Sequence, residues 1–495
     1  MWLAADVDKT AIAHKDHKEP VVNMHLPSDR NGSASIPYPR KCYLPFILYP
    51  PAMRRNDKGH RFIVDDVDMD KDGGDFVLYL SVPYCRVRCK ACPYFIEVLR
   101  KGDRRGEEDR YVAALIKDIR HWASYRKWRT GRLRAIYLGG GTGSILKTDS
   151  LRAIVDAVFE SFNIADDYCF TLEGNARDFD EEKINYVARS KITRISLGVQ
   201  SFQPKILRIV GSPHAAAQSI GVIRAFQDQG FFNIQMDLMF NMPEHTLDVW
   251  KRDLDVMADL NIPHFTVYLY RIHPDTPQAK LIRAGKVKPA LHPDEQAVRD
   301  MKREVSDLAK AKDFRQYMVD HFCREGFENK YNEWSWKIYT DALAIGPGGY
   351  SYFDGYRLGT GKDVDEYLAH VDRGEFLITA VGDRMTERIE RERYVIFTLL
   401  FFVVEFTAYR KKFGAGFLDD FGPIVNRLKE KNLVEVDERQ MRLTELGVEW
   451  HSNVLLEFFN PTFWADEDAL LEPNWSMNIP MVEVSAQSRK YWLGE

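Results

Sequence analysis

Short apolar or β-branched runs alternate with amphipathic stretches from residue 76 to about 270. FVLYLSV (76–82), LRAIYLG (133–139), YCFTLEG (168–174), ITRISLG (192–198), FNIQMDLMF (232–240) and FTVYLY (265–270) read as strands. YVAALIKDIRHWASY (111–125), DSLRAIVDAVFESF (149–162) and DVWKRDLDVMADL (248–260) read as helices between them. In the last of these, Val249, Leu254, Met257 and Leu260 can share one face. Strands each followed by a helix call for parallel pairing with right-handed crossovers. Six such units are too few to close the usual eight-unit barrel, so the pattern predicts an α/β fold built on an open or partial barrel. In such folds the chemistry collects at the carboxyl ends of the strands.

Outside this region the pattern changes. Residues 1–75 show little periodicity, and SIPYPRKCYLPFILYPP (35–51) is rich in proline and aromatics. An extended arm that lines the active site is expected there. Near residue 384 the composition shifts again. ERIERERYVIFTLLFF and FGPIVNRLKEKNLVEVDERQMRLTELGVEW predict helices followed by a hairpin, a winged-helix-like domain over 384–460 with a packing role. Within it YVIFTLLFFVVEF (394–406) reads as a buried helix, too short to span a bilayer. Residues 461–495 form a tail carrying Trp464, Trp475 and Trp492. The barrel and its extension then occupy 76–383.

The chain has 495 residues, enough for a large core, and a net charge of only -4. That balance points to no nucleic-acid partner. The N-terminus, MWLAADVDKTAIAHKDHKEP, is charged and has no apolar h-region. A cytoplasmic protein without a membrane partner is expected. Six cysteines do not make a disulfide framework in so long a chain; Cys42, Cys169 and Cys323 read as reduced core or pocket thiols.

The other three, Cys85, Cys89 and Cys92, form a C-x3-C-x2-C run in VPYCRVRCKACPYF (82–95) with no fourth ligand. Structural zinc sites usually take four protein ligands, and the nearest histidines, His60 and His121, are at no ligand-like spacing. A [4Fe–4S] cluster tolerates the vacancy better, since one iron can take a non-protein ligand.

With its position after the first strand, this run resembles the signature of the radical S-adenosylmethionine (SAM) enzymes. The resemblance narrows to their HemN-like group, relatives of oxygen-independent coproporphyrinogen III dehydrogenase, and covers about residues 76–457. It implies a partial (β/α)6 barrel with a C-terminal HemN-type domain. It also implies a cluster on Cys85, Cys89 and Cys92 whose open iron holds SAM. YLSVPYC (79–85) resembles the family's lead-in, with Tyr79 beside the cluster. YLGGGTGSIL (137–146) is similar to its GGGT loop, so Gly139, Gly140, Gly141 and Thr142 are expected at the methionyl end of SAM. LEGNARDF, ISLGVQSF and IQMDLMFNMP place Glu173, Gln200 and Asp237 at the family's SAM-binding positions, the last two on the ribose. AIGPGGYS (344–351) resembles a later motif, which implies a second SAM against Gly348, Gly349 and Tyr350.

Departures from the family steer the branch. Tyr94 stands where coproporphyrinogen dehydrogenases carry a further cysteine, which argues against haem synthesis and makes Tyr94 a catalytic candidate. YNEWSW (331–336) has Tyr331 where haem chaperones have the histidine of H-N-x-x-Y-W. Ser212 stands where the family's arginine would pair the carboxylate of the cluster-bound SAM, leaving Arg194, Arg208 or backbone amides to replace it. The branch that remains is the methyltransferases and cyclopropanases of natural-product pathways, which use two SAM molecules. A 5′-deoxyadenosyl radical from the first would activate the methyl of the second for addition to an sp2 carbon. The implied partners are a secondary-metabolite acceptor, a flavodoxin or ferredoxin as electron donor, and a partner methyltransferase. A haem- or porphyrin-directed enzyme and a haem chaperone are the alternatives.

Overall fold

The computed structural model describes residues 37–39, 41, 49–50, 54–55, 66–90, 92–99, 106–272, 276–286, 294–375, 378–464, 472–474 and 479–481. Six strands form where the alternation predicts them: β1 (Asp75–Val82), β2 (Arg132–Gly140), β3 (Asn163–Gly174), β4 (Arg194–Gln200), β5 (Ile234–Phe240) and β6 (His264–Leu269). They pair in that order and all in parallel. The crossovers carry α1 (Glu107–Ser124), α2 (Thr148–Ser161), α3 (Glu181–Arg189), α4 (Pro204–Val210), α5 (Ala216–Asp228) and α6 (Leu247–Asp259), with α7 (Glu295–Ala311) after β6.

The sheet runs on past both ends of this barrel. Beyond β6 the hairpin β7 (Arg315–Met318) and β8 (His321–Cys323) turns antiparallel, with β8 on β6. Beyond β1 lies β9 (Asp341–Ile345), parallel and in register from Asp341↔Phe76 to Ile345↔Leu80. The pattern along the chain did not mark β9 as a strand. β10 (Tyr350–Phe353), β11 (Tyr356–Thr360) and β12 (Ile378–Val381) come next, all antiparallel, and the two-residue strand Arg54–Arg55 closes the far side. The two sheet ends do not meet among the described residues.

Apolar faces of the sheet and its helices make one core, with Phe76, Leu138, Phe170, Ile223 and Trp250 all buried. Trp250 also donates to Met301 O at 3.0 Å and so ties α6 to α7. A second core fills the C-terminal domain around Tyr394, Phe417, Phe421 and Leu455. That domain has the expected wing, Val434–Val436 against Gln440–Leu443, completed by Val403–Glu405 into three strands. The run at 394–406 is buried but is not one helix. The helix α8 (Glu387–Thr398) gives way to a 3-10 turn, Phe402 adopts φ +70°, and the chain leaves as a strand. Cys169 and Cys323 are buried free thiols, as expected; Cys42 lies outside the described residues, as do Trp475 and Trp492. No helix among the described residues is long and apolar enough to cross a membrane.

Of the arm, Tyr38, Lys41 and Tyr49 dock on the C-terminal domain, whereas Val67 and Met69 pack into the barrel core. Tyr38 Oη donates to Glu457 at 3.2 Å, Lys41 pairs with Glu449 at 2.8 Å, and Tyr49 Oη donates to Glu392 at 2.6 Å. The lining role is expected of residues 1–75, and most of these, 1–36, 40, 42–48, 51–53 and 56–65, lie outside the described residues.

Candidate active site

The cysteine loop leaves the carboxyl end of β1 and is held from three sides. Gly141 N–H donates to Val82 O at 2.7 Å, and Thr142 Oγ1 lies 3.3 Å from Cys85 Sγ, which anchors the loop to the turn after β2. Arg86 forms an ion pair with buried Asp178, in the turn after β3. Lys90 N–H donates to Val210 O at 3.2 Å, at the end of α4. The three thiols sense one another electrostatically, yet among the described residues no three cysteine, histidine or acidic side chains converge on a single metal ion. Burial pushes the Cys85 thiol up to about 12 and Cys89 to about 11, so the thiols need a positive centre between them to stand ionised.

The turn after β2 and the end of β3 meet over this loop. Gly140 N–H donates to Glu173 Oε2 at 3.1 Å. Glycine is required on both sides of that contact. A β-carbon on Gly139 would fall 2.2 Å from Glu173 Oε2, and one on Gly141 2.5 Å from Tyr84 O. Burial raises the Glu173 carboxyl to about 7; the Gly140 N–H pulls it back and Asp237 pushes it further up.

Asp237, late in β5, faces the same interior. It accepts from Gln235 Nε2 at 2.6 Å, Thr266 Oγ1 at 2.6 Å and Ser196 Oγ at 3.1 Å. Gln200 ends β4 with φ +69°, at a register shift against β5, and its amide folds over Gly198, where a β-carbon would lie 3.1 Å from Nε2. Such a kink re-aims a strand-end side chain. Buried Asp253 of α6 holds the kink from behind, accepting from Ser201 Oγ at 2.6 Å, Phe202 N at 2.8 Å and Gln203 Nε2 at 3.0 Å. Sequence reasoning missed Asp253, Ser196 and Thr266; the serine of GVQSF was the one available hint.

Tyrosines line the interior. Tyr79 stacks on Tyr137 with ring centres 5.8 Å apart, and Tyr331 leans on both at 6.2 and 5.5 Å. Tyr94 is 63% exposed, yet its hydroxyl is held above the ordinary value by its enclosure and by Glu173 and Cys92. It opens onto the barrel interior, where Tyr268 also stands beside Asp237. The glycine-rich turn at 346–350 joins from the β9 side: Ser81 Oγ donates to Pro347 O at 2.6 Å, and Gly348 packs under Phe95. Gly349 N–H donates to Thr360 Oγ1 at 2.7 Å, and Tyr350 is exposed beneath the Arg357 guanidinium. One end of the sheet thus gathers the cysteine loop, the 139–142 turn, Glu173, Gln200 and Asp237, with the 348–350 turn beside them.

One expectation is corrected. Arg194 opens β4, so it lies at the opposite end of that strand from Gln200. It is fully buried and bonded to Gln235, to His264 Nδ1 at 2.6 Å and to Phe327 O at 3.3 Å. Arg208 is exposed on α4. Ser212 Oγ turns inward to His214 Nδ1 at 3.1 Å.

Residues 79–269 match the family model of the radical SAM superfamily. They form a radical SAM domain. Its cofactors are a [4Fe–4S] cluster and SAM, and the residues gathered here fit both. Over a longer span the chain is 28% identical to the haem chaperone HemW of Lactococcus lactis, covering 77% of this chain and 96% of that one. It is 26% identical to the haem chaperone HemW of Bacillus subtilis, over 74% and 95%. With the anaerobilin synthase of Escherichia coli O157:H7 it shares 24%, over 77% and 82%. From the radical SAM domain into the C-terminal domain, the fold is that of the coproporphyrinogen III oxidase HemN of Escherichia coli. That match has a TM-score of 0.69 at 21% identity and covers 79% of this chain and 91% of the other.

Proposed function

We propose that this chain is a radical SAM enzyme directed at haem or a related tetrapyrrole. The observation that carries the reading is the joint presence of the strand-end constellation and a tyrosine-lined interior in a chain similar to proteins named as haem chaperones. The natural-product methyltransferase or cyclopropanase reading gives way here. It rested on Tyr94 and Tyr331 departing from haem-family patterns, while the relatives that share three quarters of this chain are haem chaperones and an anaerobilin synthase.

When bound and reduced, the cluster and SAM supply a carbon-centred radical able to take a hydrogen atom. The chain's own groups do the rest. Cys85, Cys89 and Cys92 hold the irons, and the missing fourth cysteine leaves one position for SAM. The Gly139–Gly141 turn brings backbone N–H groups close, with Glu173 beneath them as the acceptor for a cationic ligand. Gln200 and Asp237 face the interior as hydrogen-bonding ends for a ribose. Tyr79, Tyr137, Tyr331, Tyr94 and Tyr268 give flat apolar faces with polar edges, suited to a large aromatic macrocycle. The turn at 346–350 is the place for a second SAM, with Gly348 and Gly349 allowing close approach.

A chaperone is the second reading, favoured by the names of the relatives. Anaerobic reconstitution followed by addition of SAM and dithionite separates the two. Haem-dependent 5′-deoxyadenosine is expected, and equal amounts of S-adenosylhomocysteine would place a second SAM in the reaction. A stable Soret shift with no haem-dependent 5′-deoxyadenosine would instead establish the chaperone.

A further inference from the structure

SAM carries a carboxylate at its amino-acid end. Beside a cluster whose iron charge is already offset by three thiolates, a protein cation would favour that charge further. The chain has no arginine at 212, and most of the basic groups around the cysteine loop are committed elsewhere. Arg86 is paired with Asp178. Arg177 donates to Pro213 O at 3.2 Å on the exposed side. Arg194 lies at the far end of its strand, and the Arg208 guanidinium has no hydrogen bond or ion pair to the cysteine loop among the described residues.

Lys90 is placed differently. It belongs to the cysteine loop itself, two residues before Cys92 and one after Cys89. Its backbone is clamped on both sides: its N–H donates to Val210 O at 3.2 Å, and its carbonyl accepts from Gln278 N–H at 3.1 Å. Its side chain runs across Gly211, the residue before Ser212. A β-carbon at Gly211 would lie 3.4 Å from Lys90 Cγ and 3.8 Å from Cε. Gly211 has φ +73° and ends α4, and Ser212 N–H closes that turn on Leu207 O at 2.9 Å. The exposed side chain of Lys90 therefore runs along the turn in which position 212 sits, with no hydrogen bond or ion pair of its own among the described residues.

We propose that Lys90 binds the carboxylate of the cluster-bound SAM, so that the cation comes from the cysteine loop and not from the turn after α4. The inference rests on the radical SAM assignment of residues 79–269 and is independent of the haem reading. A lysine here acts as a point charge rather than a fork, so length and charge matter more than planarity.

The test is SAM affinity of the reconstituted protein without haem, read by calorimetry and by the change SAM causes in the electron paramagnetic resonance signal of the reduced cluster. Lys90→Met should weaken SAM at least tenfold, while Lys90→Arg should not. 5′-Methylthioadenosine, which keeps the nucleoside and lacks the amino acid, should bind wild type and Lys90→Met alike. Adding S212R to Lys90→Met should recover the SAM affinity. Arg208→Met, on an exposed arginine of α4, should leave it unchanged. Iron per chain controls for loop folding, and Lys90→Gln replaces Lys90→Met if the cluster is lost. Unchanged SAM affinity without the lysine charge overturns the proposal, as does an equal loss for 5′-methylthioadenosine.

Discussion

Glu173 sits under a glycine with no room for a β-carbon and accepts one backbone N–H. Burial, eased by that N–H and increased by Asp237, leaves its carboxyl titrating at about 7. SAM is cationic at its sulfonium and amino groups and prefers the ionised form. Below pH 7 the neutral carboxyl prevails and above it the carboxylate, so affinity for SAM should rise with pH. The gain between pH 6 and 8 should be about tenfold, the change in the ionised fraction over that range. Glu173→Gln should bind weakly with a flat profile; a flat profile in the wild type would refute the assignment of this group. The motif residues Cys85, Thr142, Glu173 and Asp237 were legible because they repeat at successive strand ends. Lys90 was not, because its importance lies in a contact with Gly211, remote in sequence.

Strand polarity decides what a neighbouring residue can do. Arg194 is six residues before Gln200, but six residues of strand carry it to the other end of the sheet. There it steadies the interior from below: Arg194 holds Gln235, and Gln235 holds Asp237. Arg194→Met should remove three hydrogen bonds and lower stability by about 3 kcal/mol at roughly 1 kcal/mol each. The urea midpoint should fall with an unchanged slope while the iron content stays intact. Unaltered stability would mean that the network is ornamental. The same logic explains what the pattern hid. The run at 394–406 is apolar throughout, so no periodicity marked the break at Phe402. β9 is a five-residue strand in a segment that also carries turn signals.

Across the whole molecule, the arm and the C-terminal domain are joined by tyrosine hydroxyls on buried glutamates. Glu392 receives Tyr49 at 2.6 Å, Arg388 at 2.7 Å and Asn460 Nδ2 at 3.2 Å. Glu457 receives Tyr38, Arg427 at 3.0 Å and Lys431 at 3.5 Å. Arg357 and Arg393 take the carbonyls of Pro50 and Tyr49, at 2.6 and 3.2 Å. Tyr49→Phe should cost about 2 kcal/mol, the scale of a buried hydrogen bond to a charged group. A double-mutant cycle with Glu392→Gln should show positive coupling; strict additivity would mean that the hydroxyl does not hold the arm. The arm's proline-aromatic composition predicted an extended segment, but composition alone could not say which domain it would lie on.

Among the described residues the sheet at the centre does not close, and an unclosed sheet has two edges that another chain could extend. One rim here is the two-residue strand Arg54–Arg55, and the other is β7, which slips register between Gln316 and Met318. Both are too short or too irregular to template a further strand. The open sheet is thereby kept from becoming a site of strand-by-strand self-association.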